Sequence, residues 1–117
     1  MSFNVEQKEN TMVVSITGEL DDHVAKGLRE KLDFFLLRKE IINLVFDLSE
    51  LTFMDSAGIG LLIGRYKQVK ERGGKSVVVI GTSHSKRILK MSGVLNIFLE
   101  AQSITDAFEI VGVTSLA

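Results

Sequence analysis

The chain has 117 residues, which fits one compact domain, and its hydrophobic fraction of 45% is enough for one packed core without metal or disulfide staples. A total of 14 Lys and Arg against 15 Asp and Glu leaves a net charge of −1, which excludes the strongly basic balance of a protein that neutralises many phosphates. With no cysteine, thiolate nucleophiles, iron–sulfur clusters, cysteine zinc sites and disulfide frameworks are excluded together, and His23 and His84 lie in no metal-binding spacing. No nucleic-acid partner, metal or cofactor is expected.

The opening MSFNVEQKEN has neither the basic start nor the apolar stretch of a secretory signal. The longest apolar runs, such as Phe34 to Leu37 and Val77 to Ile80, fall far short of the ~20 residues of a membrane span. A soluble, cytoplasmic protein with no membrane partner is the expectation. Proline is absent, so Gly, Asn, Asp and Ser must close the loops.

Phe3 to Glu6 and Met12 to Thr17, separated by the polar Gln7 to Thr11, read as a hairpin of two short strands. After Gly18, Glu19 and Leu20, the acids Asp21 and Asp22 precede Val24, Leu28, Leu32, Phe35 and Leu36 at helical spacing, so both are expected to cap a first helix ending near Arg38. Ile41 to Leu48 is almost wholly apolar, as expected of a central strand covered on both faces. The stretch SELTFMD then reads as a connector to a second helix carrying Ile59, Leu62, Ile63, Tyr66 and Val69 and stopped by Gly73 and Gly74. Val77 to Ile80 reads as a third buried strand, Ser83 to Ser92 as a short helix closed by Gly93, and Ile97 to Leu99 as an edge strand. A last helix begins at the near-capping-box Ser103-Ile-Thr-Asp106 and buries Ala107, Phe108 and Val111.

The order implies one α/β domain over residues 1–117. An N-terminal β-hairpin is followed by alternating helix and strand, giving a mixed sheet of four to five strands with about four helices. Loops leaving the carboxyl ends of parallel strands gather on one edge, the usual place for function. Gly18 to Asp22, Thr52 to Gly58 and Gly81 to Ser85 qualify, so Asp21, Asp55, Ser56, Ser83 and His84 are expected to be neighbours.

The segment Phe53-Met54-Asp55-Ser56-Ala57-Gly58-Ile59-Gly60 carries the most information. Ser56 at a helix start reads either as an N-cap or as a phosphorylation site. A phosphate there would face free backbone N–H groups, while Asp55 and Asp21 would repel it. Gly58, Gly60 and Gly64 are spaced GxGxxxG, not as a dinucleotide fingerprint, and Ala57, Gly60 and Gly64 read as a stripe for close helix packing. Gly74-Lys75-Ser76 imitates the end of a P-loop but precedes a strand. A hydrolase would need Ser56, His84 and Asp55 to meet, yet Met54 stands where the nucleophile elbow requires glycine. Arg65, Lys67, Lys70, Arg72 and Lys75 read as a basic, solvated helix face.

Gly18-Glu19-Leu20-Asp21, Phe53 to Gly60 (FMDSAGIG), Gly64 to Gly74 (GRYKQVKERGG) and Lys90 to Ile97 (KMSGVLNI) together resemble the STAS domains of anti-sigma factor antagonists, with the sporulation members nearest. The resemblance implies a non-enzymatic, STAS-like domain switched by phosphorylation at Ser56. The unmodified form would bind an anti-sigma factor that is a serine kinase and release the sporulation sigma factor F. The kinase would then inactivate it with ATP, and a metal-dependent serine phosphatase would restore it. Some relatives carry a second serine where Ala57 stands, so no adjacent hydroxyl competes here. The partner-binding face expected from this likeness comprises Asp21, Asp55, Ser56, Ala57, Gly58, Ile59, Gly60, Ser83 and His84. A general-stress antagonist with the same switch, and a small nucleotide-binding or hydrolysing protein, are the alternatives.

Overall fold

Valine pairs at successive positions decide which layer each face of the sheet supports. Side chains alternate across a strand, so Val13, Val45 and Val77 share one face while Val14, Phe46 and Val78 share the other. The computed structural model describes residues 3–114. The remaining residues of the expected 1–117 domain, 1–2 and 115–117, lie outside the described ones. Strands β1 (Phe3–Lys8), β2 (Thr11–Leu20), β3 (Asn43–Met54), β4 (Ser76–Val79) and β5 (Leu99–Ala101) form one sheet in the order β1-β2-β3-β4-β5. The first pair is antiparallel and the others are parallel, so the sheet is mixed, with five of the expected four to five strands.

Helices α1 (Asp22–Phe35), α2 (Ser56–Glu71) and α3 (Ser83–Ser92) cover one face and α4 (Ile104–Val111) the other. Strands β2 to β4 advance across the sheet in one direction, and crossovers of a single hand then place their helices on the same side. The larger core joins Leu28 and Leu32 of α1, Leu61, Leu62 and Val69 of α2 and Leu89 of α3 to Val14, Ile16, Leu44, Phe46 and Val78. The smaller core seats Ala107, Phe108 and Val111 against the valines of the opposite face.

Several boundaries differ from the sequence expectation. The hairpin turn is confined to Glu9 and Asn10, with Glu9 in the left-handed region at φ 53° and its carboxylate accepting from the Thr114 amide at 3.1 Å. SELTFMD is largely strand: β3 continues to Met54, with Leu51 buried. Its register against β2 shifts between Ser15 and Thr17 and again between Gly18 and Glu19, so β3 carries two extra residues there. The first irregularity is closed by Asp47, whose Oδ1 accepts from Ser49 N at 3.1 Å and Ser49 Oγ at 2.7 Å. Polar residues that suggested a loop are thus the chemistry of a bulge inside a strand. The edge strand begins at Leu99 because Gly93, at φ 82°, turns the chain into a single 3-10 turn, Val94–Asn96, that buries Val94.

The expected basic helix face is also divided. Arg72 folds back to donate to the carbonyls of Ile41 at 2.7 Å and Arg38 at 3.2 Å, and also to that of Leu36, locking the segment between α1 and β3 onto the end of α2. Arg65 lies between the helices with its side chain 12% exposed, 3.4 Å from Asp33 of α1. Burial lowers its pKa, Asp33 opposes that shift, and Arg29 adds to it. Lys67 and Lys70 remain exposed. At the amino ends of the parallel strands, buried Asn43 accepts from Lys75 N at 2.8 Å and donates to the Val111 carbonyl at 3.4 Å, tying the α2–β4 turn to α4.

Candidate functional site

Unequal strand lengths create the edge on which the candidate residues stand. Pairing between β3 and β4 stops at Asp47 and Val79, whereas β2 and β3 remain paired as far as Leu20 and Met54. The next residue of each long strand is an aspartate, and each caps a helix. Asp21 Oδ1 accepts from Val24 N at 3.0 Å at the start of α1. Asp22, expected to share that cap, is instead the first helical residue, with an exposed side chain.

Asp55 does more. Its Oδ1 accepts from Ala57 N at 3.0 Å and Gly58 N at 3.1 Å, while its Oδ2 reaches across to accept from Asp22 N at 3.1 Å. One carboxylate therefore fastens the starts of both helices. The Asp55 amide donates to the Leu20 carbonyl at 3.4 Å, and Gly58 rests against the same oxygen. A Cβ at Gly58 would lie 2.6 Å from Leu20 O and 2.8 Å from both Leu20 Cγ and Met54 Cγ, so only glycine fits. The expected packing stripe is corrected at this point: Gly60 and Gly64 have open space around them, and Gly58 makes the close approach.

Ser56 is accordingly not the cap. It occupies the first position of α2, exposed, with the Asp55 side chain on the amides of Ala57 and Gly58. The free N–H groups expected to face a phosphate at Ser56 are, at Ala57 and Gly58, already bonded. Ala57 and Ile59 are half-buried and Gly60 is exposed, so the first turn of α2 presents a low, partly apolar surface beside Ser56.

The third loop joins this edge at a different point. Thr82 and Ser85 form a capping box that starts α3, with Ser85 N donating to Thr82 Oγ1 at 3.1 Å and Thr82 N to Ser85 Oγ at 3.3 Å. Ser83 and His84 are both exposed there, and His84 Nε2 lies 3.1 Å from the Thr52 carbonyl on the overhanging part of β3. The structure thus links Asp21, Asp22, Asp55 and Ser56 into one cluster and attaches His84 to the strand leading into it. With His84 on a backbone carbonyl and the Asp55 oxygens on backbone amides, no Ser–His–Asp relay is assembled. Gly74 has its α-carbon against the Ile42 carbonyl, and Lys75 Nζ reaches the Ile110 carbonyl at 3.3 Å, so the apparent P-loop ending is a packed turn.

An apolar groove next to Ser56 was not foreseen from the sequence. Thr52, Phe53, Met54, Ile59, Ile88, Met91 and Ser92 enclose about 320 Å³ between the end of β3, the first turn of α2 and the outer side of α3. Phe53 is 46% exposed and Met91 82% exposed, and both line this one groove. Met91, on the outward side of an otherwise polar helical pattern, was the available signal. Among the described residues no group of His, Asp and Glu is placed to hold a metal ion, and no helix is long and apolar enough to cross a membrane.

Comparison with known proteins gives the site a context. Residues 2–107 match the family described as STAS domain. The chain is 33% identical over 97 residues to an anti-sigma F factor antagonist of Paenibacillus polymyxa, covering 83% of each chain. It is 39% identical over 74 residues to the anti-sigma-B factor antagonist of Bacillus subtilis, covering 63% of this chain and 66% of that one. Among solved structures, the anti-sigma factor antagonist SpoIIAA in its unphosphorylated form has a similar fold, with a TM-score of 0.76 at 21% identity over 96% of this chain and 99% of that one. An anti-sigma factor antagonist from Mycobacterium paratuberculosis superposes with a TM-score of 0.80 at 26% identity, covering 94% of this chain and 92% of that one.

Proposed function

Since the chain belongs to the STAS domain family, whose matched relatives are anti-sigma factor antagonists, we propose that it is a phosphorylation-switched member that binds an anti-sigma factor through the edge around Ser56. The observation that carries the reading is the exposed Ser56, freed from capping by Asp55, between the Asp21–Asp22 start of α1 and the apolar groove. The anti-sigma factor is proposed to be a serine kinase and the controlled factor sigma F. The γ-phosphoryl group of ATP passes to Ser56 Oγ, ADP leaves and the hydroxyl proton is released. A metal-dependent serine phosphatase returns the hydroxyl by transferring the phosphoryl group to water. The protein itself is substrate and ligand in this cycle, acting in the cytoplasm.

The same geometry gives the switch its sign. In the docked complex, Ile59, Gly60 and the groove side chains Phe53, Ile88 and Met91 would be covered, with Ala57 and Gly58 beneath them and Asp21, Asp55, Ser83 and His84 at the rim. Phosphorylation adds about −1.5 to −2 charge at neutral pH, next to the Asp55 carboxylate that precedes Ser56 and holds the start of its helix. Burying that dianion without a cationic partner costs several kcal/mol, on the order found for unpaired buried charges. Complex formation is then lost while the fold remains. The segment of 39% identity to an anti-sigma-B factor antagonist supports a second reading, the same switch on a general-stress anti-sigma factor.

Mixing the protein with the anti-sigma kinase and ATP, followed by peptide mass spectrometry, should place the phosphate on Ser56. Ser56→Ala should bind the unloaded kinase like the parent and accept no phosphate, and Ser56→Asp should bind at least tenfold more weakly. Phosphate on another residue, or parent-like binding by Ser56→Asp, refutes the proposal. Titration of sigma F and sigma B anti-sigma factors side by side separates the two readings.

A further inference from the structure

A helix start normally welcomes a phosphate, because its first amides are unbonded and the helix dipole is positive there. At α2 that capacity is already used. The amides of Ala57 and Gly58 donate to Asp55 Oδ1 and that of Ile59 to the Asp55 carbonyl at 3.1 Å, leaving the first turn only the amide of Ser56 itself. The second carboxylate oxygen holds Asp22 N at 3.1 Å, so displacing Asp55 would also release the start of α1. A phosphoryl group on Ser56 has two possible homes. It either evicts Asp55 and becomes the cap, or stays outside it in solvent.

We infer that Asp55 is a positioning residue of the switch, one that holds the helix amides so that a phosphoryl group on Ser56 remains outside the cap, exposed to the enzyme that removes it. This rests on the reading of Ser56 as the acceptor. Eviction would cost three hydrogen bonds to an anionic acceptor and would set the carboxylate loose beside a dianion and the exposed Asp22. The phosphate would regain bonds to the same amides, but with the displaced charge still next to it. The outward position avoids that conflict. Asp55 thereby keeps the modified state reversible and keeps its charge at the surface, where it opposes docking.

The test installs phosphoserine at position 56 of the full chain by nonsense suppression, in the parent and in Asp55→Ala and Asp55→Asn backgrounds, so that no kinase is needed. Backbone amide resonances of Asp22, Ala57 and Gly58 and thermal midpoints are measured with and without the phosphate. In the parent, the Ala57 and Gly58 resonances should stay near their unmodified positions and the midpoint should not rise. In Asp55→Ala, the phosphate should move into the vacated cap, shifting both amides downfield, raising the midpoint and slowing removal by a metal-dependent serine phosphatase several-fold. Should Asp55→Ala not fold, Asp55→Asn, which keeps one oxygen for the cap without the charge, should show the same downfield shifts in weaker form. Downfield movement of Ala57 and Gly58 in the phosphorylated parent, or an equal rise in midpoint in parent and variant, overturns the inference. Failure of a kinase to modify Ser56 would instead refute the acceptor reading and leave these measurements standing.

Discussion

Replacing Gly58 by alanine and comparing it with the same change at Gly60 isolates the contact that aligns the two helix starts. Both residues lie in α2, so each substitution gains about 0.5–1 kcal/mol from the lower backbone entropy of alanine. At Gly58 the new methyl carbon would sit 2.6 Å from the Leu20 carbonyl oxygen and 2.8 Å from the Leu20 and Met54 side chains. Leu20 is fully buried and its carbonyl receives the Asp55 amide, so the strand end cannot retreat without breaking that bond. Overpacking of this kind costs roughly 1–3 kcal/mol, and with a backbone contact at the short end the net effect is destabilisation of up to about 2.5 kcal/mol. Gly60 has no atom within 4 Å of a built Cβ, so Gly60→Ala should be stabilised by about 0.5–1 kcal/mol. Urea titration with a shared m-value reads both differences as opposite shifts of the midpoint. The reasoning fails if Gly58→Ala unfolds at or above the parental midpoint, or if the two variants move the same way.

Arg72→Lys should lose about 1–3 kcal/mol in the same titration, because a single ammonium cannot reach the carbonyls of Leu36, Arg38 and Ile41 that the planar guanidinium spans. Asn43→Ala leaves the Lys75 amide without its acceptor in a site where Asn43 is 6% exposed, and a comparable loss, about 1–3 kcal/mol, is expected in thermal unfolding. Asp21→Asn keeps an oxygen for Val24 N and should unfold like the parent, yet it should bind the anti-sigma factor more weakly by calorimetry if the Asp21 carboxylate meets the partner. Parent-like affinity removes Asp21 from the interface.

Hydrophobic periodicity was sufficient for the architecture, since Ile41 to Leu48 and Val77 to Ile80 are apolar on both faces and the helices carry their stripes at regular spacing. The ends were harder. SELTFMD reads as a connector because it opens on the polar Ser49 and Glu50, yet Ser49 bonds Asp47 inside a bulge, and what makes this stretch a strand is its pairing with the distant β2, which no local pattern encodes. Ser56 reads as a cap by residue type, but Asp55 precedes it and holds the cap with two amides, a competition settled by the direction in which β3 ends. The glycines illustrate the same point: Gly58, Gly60 and Gly64 are alike in sequence and differ only in what lies opposite, which is Leu20, thirty-eight positions away, or nothing. Arg65 and Arg72 turn inward because Asp33 and three open carbonyls await them, also far apart along the chain.

Beyond Asp47 the last part of β3 has a strand on one flank only; on the other, α3 leans against it and His84 holds the Thr52 carbonyl. Amides of such a segment open by local fluctuation at a free energy below that of global unfolding. Hydrogen exchange from residues 50–54 should therefore outpace exchange from the paired centre of the same strand. The platform that carries Asp55 and Ser56 consequently has a rigidity set by α3 rather than by the whole domain, and changes in that helix can retune how firmly the acceptor is presented while the unfolding midpoint stays where it was.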